Sequence, residues 1–135
     1  MKWKGEREIK CPCGNNKLYY NCCFGIHKNI KSAKTAEQLM RSRYSAFTLG
    51  LGDYLHKSQS PQTRNLAEKE SIQKWAKSVK GLGLEILNST KGTASDSEGT
   101  VEFKATFKEK IFKKVIHENS RFIKIEDTWY YLDAI

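Results

Sequence analysis

Val101-Glu102-Phe103-Lys104-Ala105-Thr106-Phe107 alternates apolar and polar side chains without a break. In a strand this puts Val101, Phe103, Ala105 and Phe107 on one face and Glu102, Lys104 and Thr106 on the other. A strand so patterned is covered on one side and wet on the other, as in an antiparallel sheet. Around it, residues 84–90, 99–109, 111–125 and 127–134 have the alternation and the β-branched or aromatic content of strands. Ser95-Asp96-Ser97-Glu98-Gly99 and Glu126-Asp127 are the turns, so the pattern predicts a meander.

Upstream the period changes to that of a helix. Ala36, Met40, Tyr44, Phe47 and Leu51 fall on one side, with Leu39 at its margin, and Thr35 reads as the N-cap ahead of Glu37 and Gln38. Gly50-Leu51-Gly52 ends this helix, and Asp53 is placed to cap a short segment through Tyr54 and Leu55. Ser60-Pro61 marks a turn. Residues 65–79 read as a third helix with Leu66, Ile72, Trp75, Ala76 and Val79 apolar, broken by Gly81-x-Gly83. Helical segments followed by consecutive strands predict an α+β fold rather than alternating α/β. At 135 residues with 39% hydrophobic side chains, the chain can bury one ordinary core beside a small module.

That module is signalled by the cysteines. All four, Cys11, Cys13, Cys22 and Cys23, lie in the first 23 residues as two close pairs, the arithmetic of one tetrahedral zinc site. Adjacent Cys22 and Cys23 are badly placed to bridge each other, and crossing to Cys11 and Cys13 would strain a disulfide. An iron–sulfur cluster also uses four thiolates but normally at wider spacings. Four thiolates leave no open coordination position, which predicts a structural metal. Pro12 fixes one backbone angle between the first pair, Gly14 and the two asparagines Asn15 and Asn16 suit the turn, and residues 17–21 are long enough for one helical turn back to the metal. His27 stands either as a replacement ligand, a supporting hydrogen-bond partner or an exposed side chain.

Cys-Pro-Cys-Gly followed by Lys17, aromatic residues and a closing Cys-Cys resembles the SEC-C motif, the zinc-binding tail known from the SecA translocation ATPase. Asn15-Asn16 departs from the Ser-Gly pair usual there, and asparagine can take the glycine's conformation. Further along, TAEQLMRSRYSAF (35–47), GLEIL (83–87), VEFKATF (101–107) and HENSRF with WYYLD (117–122 and 129–133) occur in the order seen in the YchJ family. That resemblance implies a SEC-C-like zinc module over residues 1–30 and a nuclear transport factor 2-like domain over 31–135. The latter is a cone of helices packed on a curved antiparallel sheet, enclosing a cavity. Several members of that family carry a second SEC-C motif at the C-terminus, whereas the sequence through Ile135 has one. Lys28-Asn29-Ile30-Lys31-Ser32-Ala33-Lys34 is basic and poor in large apolar residues, and reads as the linker between modules.

Arg43 falls inside the apolar arc of its helix. A guanidinium there needs a paired carboxylate, for which Glu118 and Asp133 are the candidates, unless it snorkels to water. Arg41 faces away from the stripe and reads as solvated. In the strand over 111–125, Ile116, Glu118, Ser120 and Phe122 share a face, so a core-facing Ile116 and Phe122 carry Glu118 and Ser120 inward with them. Arg43, Tyr44, Glu118, Ser120, Tyr131 and Asp133 are thus the cavity candidates, either as a polar centre for a small ligand or as a satisfied structural ion pair. Related cones include enzymes with paired acid and base groups, and His56, His117, Tyr44 and Asp133 supply those residue types. His117 and Glu118 point to opposite sides of their strand, however, and no nucleophile elbow, phosphate loop or dinucleotide fingerprint accompanies them. Catalysis is the weaker expectation.

Twenty-four Lys and Arg against 15 Asp and Glu give a formal charge of +9, reduced to about +7 by four thiolates and one zinc. Lys2, Lys4, Arg7, Lys10, Lys17, Lys28, Lys31 and Lys34 surround the cysteines with Trp3, Tyr19 and Tyr20 interleaved. A basic face carrying aromatics suits an acidic protein surface or RNA, ribosomal RNA included. Residues 1–10 contain no apolar run resembling a signal peptide and no stretch could span a membrane, so the expected compartment is the reducing cytoplasm. Pairing of two such cones into a homodimer through the outer sheet face is compatible with the pattern. The function expected is a zinc-binding adaptor, with a cavity enzyme or small-molecule binder as the alternative.

Overall fold

The computed structural model describes residues 9–135, apart from the side chains of Leu66 and Ala67. Lys2, Trp3, Lys4 and Arg7 of the basic cluster, and the Leu66 side chain, lie outside the described residues. Among those described, helices α1 (Cys23–Lys28), α2 (Ala36–Leu49), α3 (Gly52–Lys57) and α4 (Leu66–Ser78) precede strands β1 (Val79–Lys91), β2 (Glu98–Glu109), β3 (Phe112–Ile125) and β4 (Thr128–Ala134). The four strands form one antiparallel sheet in sequence order. The architecture is the α+β expected.

Local sequence explains most boundaries. The Thr35 hydroxyl accepts from the Gln38 amide at 3.1 Å and caps α2. Gly50, left-handed at φ 71°, ends that helix and donates back to the carbonyls of Ala46 and Phe47. Glu126 and Asp127 both take positive φ, 48° and 67°, and close the β3–β4 hairpin. Val101, Phe103, Ala105 and Phe107 are all buried, as their alternation requires.

Three expectations are corrected. Asp53 does not cap α3; Leu51 holds the cap position, and Asp53 instead accepts from Gln73 Nε2 at 2.8 Å and meets Lys69 at 3.5 Å, tying α3 to α4. Gly81 and Gly83 do not separate helix from strand, because α4 passes directly into β1 and both glycines lie inside it, at a bulge. A Cβ at Gly81 would collide with the Thr48 hydroxyl, so glycine lets β1 approach α2. The basic segment 28–34 is no loose linker either. It folds into a 3₁₀ turn, Ile30–Ser32, and buries Ile30 and Ala33 in the main core. Trp129, fully buried, donates its indole hydrogen to the Lys34 carbonyl at 3.1 Å and straps this segment to β4.

Helix α2 is the axle of the structure. Its Leu39, Tyr44 and Ala46 are buried in the main core, and the Tyr44 hydroxyl donates to the Thr106 carbonyl at 3.0 Å while accepting from the Gly83 amide at 2.8 Å. Beyond α3 the chain runs along β4: Ser60 N donates to Tyr131 O at 2.7 Å and Tyr131 N to Ser58 O at 2.9 Å. That parallel bridge covers an otherwise open sheet edge. Among the described residues no helix is long and apolar enough to cross a membrane.

Candidate functional site

The N-terminal cluster is shaped first by hydrogen bonds among its own residues. Tyr19 N donates to Ile9 O at 2.8 Å and Cys11 N to Lys17 O at 2.7 Å, so residues 9–19 double back on themselves. Gly14 at φ 78° and Asn16 at φ 56° make the reversal, the two positions where a positive φ is required. A 3₁₀ turn, Tyr19–Asn21, then delivers Cys22 and Cys23. The four sulfurs of Cys11, Cys13, Cys22 and Cys23 lie within 4.8 Å of one another and could hold a metal ion. Cys13 Sγ is 3.6 Å from Cys22 Sγ, and Cys22 Sγ is 4.0 Å from Cys23 Sγ. Cys11, Cys13 and Cys23 are buried and Cys22 is half-buried.

So close a set of thiols cannot ionise independently. Hydrogen bonds from Cys13 and Cys23 hold Cys11 far below the usual thiol range. The same hydrogen bond with Cys11 pushes Cys13 up to about 12, and hydrogen bonds with Cys11 and Cys13 together with burial raise Cys23. A bound cation is what would allow all four to become thiolates.

The cluster is bolted to α2 by three polar contacts. The Cys11 sulfur lies 3.5 Å from Ser45 Oγ. Arg41 Nη1 donates to the Cys13 carbonyl at 2.7 Å while its Nε donates to Glu37 at 3.0 Å. Arg41 is therefore not solvated, as its helical position suggested, but mostly covered by the knuckle. The signal available was that Arg41 and Ser45 stand one turn apart on a single polar face of α2. His27 makes the third contact. Its Nε2 lies 2.7 Å from the Ser42 carbonyl, which can only accept, so Nε2 carries the hydrogen and Nδ1, 2.7 Å away, accepts from the Tyr19 hydroxyl. With both nitrogens engaged, His27 is a brace and not a fifth ligand. Burial lowers its pKa.

A second feature is a cavity of about 190 Å³ between α2, α4 and the sheet, walled by Phe47, Trp75, Phe103, Phe107 and Ile116 among others. Of the cavity candidates, Arg43, Tyr44, Glu118, Ser120 and Tyr131 all line it. Asp133 does not. It forms a two-pronged pair with Arg121 on the outer surface, at 2.7 and 2.6 Å, which holds its carboxyl below the usual range. A register shift between Arg121 and Phe122 sets Asp133 opposite Arg121 instead, away from the cavity where it was expected as a carboxylate partner for Arg43.

The expected carboxylate partner of Arg43 is corrected as well. Among the described residues, neither Glu118 nor Asp133 forms an ion pair with it. Arg43 Nη1 donates to the Leu55 carbonyl at 2.8 Å and to Ser58 Oγ at 2.6 Å, and the guanidinium lies 4.7 Å from the centre of the Tyr131 ring. Only 7% of the residue is exposed, and burial lowers its pKa to about 10, so it stays a cation at neutral pH. Ser120 is 1% exposed and its hydroxyl has no partner among the described residues. His117 meets Glu102 at 2.7 Å on the outer face, and neither it nor His56 lines the cavity.

Residues 35–134 match a sequence family described as the YchJ middle NTF2-like domain. A UPF0225 protein of Geobacter sulfurreducens is 38% identical over 92% of this chain and 77% of its own length. A UPF0225 protein of Chromobacterium violaceum is 38% identical over 100% of this chain and 98% of its own length. Among solved structures, a SEC-C motif containing protein from Rhodopseudomonas palustris superimposes with a TM-score of 0.82 at 34% identity, covering 94% of this chain and 98% of the other. One from Psychrobacter arcticus gives 0.79 at 35% identity, covering 94% and 82%. The fold of helices packed on an antiparallel meander is thus shared with these solved structures, and the chain belongs to the YchJ family of UPF0225 proteins.

Proposed function

We propose that the four cysteines hold one structural zinc ion and that the stapled knuckle is a docking module for an acidic macromolecular surface, making the protein an adaptor. A tetrahedron with Zn–S bonds of 2.3 Å has edges of about 3.8 Å. The separations of 3.6 and 4.0 Å between cysteine sulfurs bracket that value. Thiolate softness and the tetrahedral count favour zinc over the harder divalent ions. A site of four thiolates, three of them from buried cysteines, supplies folding energy and leaves no coordination position for a reacting water.

The observation that carries the docking reading is the outer face of the knuckle. Ile9, Leu18 and Tyr20 of the knuckle are 42%, 45% and 48% exposed, and the exposed Lys10 and Lys17 stand next to them in the chain. Tyr20 stacks on Phe24, with Lys28 over the same ring. Apolar anchors ringed by lysines recognise a surface that is acidic at its rim and apolar at its centre. The compartment that fits is the cytoplasm, where thiols stay reduced and available to metal.

The test is sedimentation of the zinc-loaded chain with purified ribosomes, alongside pull-down from a clarified lysate at low and high salt. Native mass spectrometry should count one zinc per chain. Capture should weaken in Lys17→Glu and Tyr20→Ala with zinc content unchanged, and vanish in Cys13→Ser. Capture that survives all three substitutions would remove the knuckle from docking. Partition between the ribosome and the protein fraction distinguishes nucleic acid from an acidic protein.

A further inference from the structure

We propose that the cavity between α2 and the sheet binds a small organic monocarboxylate with a flat apolar body of about one ring. This goes beyond the docking reading and does not depend on the metal. Arg43 is a buried cation with no carboxylate partner among the described residues, a condition that is costly unless an anion completes it. Its two protein hydrogen bonds both leave from Nη1, to Leu55 O and Ser58 Oγ. The Nε–Nη2 edge has no partner among the described residues. That edge presents two parallel N–H groups, the fork that accepts both oxygens of a carboxylate.

A second, independent observation points the same way. Ser120 lines the same cavity, is 1% exposed, and its hydroxyl is unpartnered. A buried hydroxyl left empty costs stability that an alanine would not. The remaining walls are aromatic and aliphatic: Trp75, Phe103, Phe107 and Tyr131 flank the polar pair. A dry cavity of about 150 Å³ is enough for benzene, so about 190 Å³ suits a single ring with its carboxylate. Arg43 sets the sign of the charge admitted, and Glu118, which also lines the cavity, limits its number. A dianion would be repelled by it, whereas one carboxylate seated on Arg43 is tolerated.

The experiment is ligand-observed NMR and calorimetry on the zinc-loaded full chain with three isosteric probes: benzoate, benzamide and benzylamine. Benzoate should bind at least about tenfold more tightly than neutral benzamide. Glu118→Gln should tighten benzoate by removing a like charge. Arg43→Lys keeps the charge and loses the fork, and should weaken benzoate strongly. Ser120→Ala is the variant that guards against misfolding: it should raise the melting temperature of the free protein while weakening benzoate. Equal binding of benzoate and benzamide, preference for benzylamine, or no benzoate binding at millimolar concentration overturns the proposal. So does a Ser120→Ala protein that is folded, stabilised and unaltered in benzoate affinity.

Discussion

Arg41 Nη1 donates to the carbonyl oxygen of Cys13 at 2.7 Å, across 28 positions of chain, so a helix of the core domain holds the turn between two metal-ligand candidates. The same guanidinium is steadied by Glu37 one helical turn earlier. The knuckle is thereby oriented by α2 and not merely tethered to it.

Replacing Arg41 by Met keeps the aliphatic stem and deletes the donor. Groups that orient ligands commonly account for roughly 10- to 100-fold in metal affinity. Arg41→Met is expected to lose zinc in a chelator competition at correspondingly lower chelator concentration, with far-ultraviolet circular dichroism unchanged. Unaltered affinity would mean that the Cys13 turn holds itself.

His27 makes stability depend on pH. Burial lowers its pKa in the folded protein below the unfolded value of about 6.5. Above that value both states are neutral and nothing is lost. As pH falls through it the unfolded chain takes the proton first, and stability drops until the folded pKa is reached. The melting temperature of wild type should therefore fall more steeply between pH 7 and pH 5 than that of His27→Gln. Parallel curves would show that the bridge between Tyr19 and Ser42 does not resist protonation.

Gly92 sits at φ 74° where the β1–β2 hairpin meets the start of α2, and the Ala36 amide donates to its carbonyl at 2.9 Å. A Cβ there would stand 2.7 Å from the Ala36 side chain. Gly92→Ala combines a left-handed backbone with that contact and should cost about 1–3 kcal/mol in urea denaturation. A midpoint equal to wild type would contradict this account.

Asp133 should be nearly silent. Its pair with Arg121 is half-exposed on both sides, and such pairs contribute little. Asp133→Asn is expected to leave both the urea midpoint and benzoate binding where they are. A loss of benzoate affinity would return Asp133 to the cavity.

Several of these residues were legible without coordinates and others were not. Thr35, Gly14 and Asn16 act through their own backbone neighbours, and the alternation from Val101 to Phe107 records burial directly, so each could be read locally. Glu118 and Ser120 followed from the same alternation, because it holds from Ile116 to Phe122. Asp133 was misplaced because the bulge at Arg121 shifts the parity of β3 against β4, and a bulge leaves no mark in hydrophobic period. Arg43 was read as either paired with a carboxylate or snorkelling to water; it is buried, and its partners Leu55 and Ser58 belong to the end of α3, which no pairing rule for charges would select. The segment 28–34 reads polar by composition, and the burial of Ile30 and Ala33 together with Trp129, 95 positions from Lys34, makes it part of the core.

By itself the sequence determined the cysteine cluster, the α+β order and the inward faces of Val101–Phe107 and Ile116–Phe122, because these depend on spacing, turn chemistry and local period. The tertiary structure alone decided that Arg41 and His27 brace the cysteine knuckle and that, among the described residues, Arg43 goes without a carboxylate and Ser120 faces a cavity unpartnered. Those outcomes turn on which elements pack together and on a register shift of one residue, and hydrogen bonds between distant groups are specified by that packing and not by the neighbours of either residue in the chain.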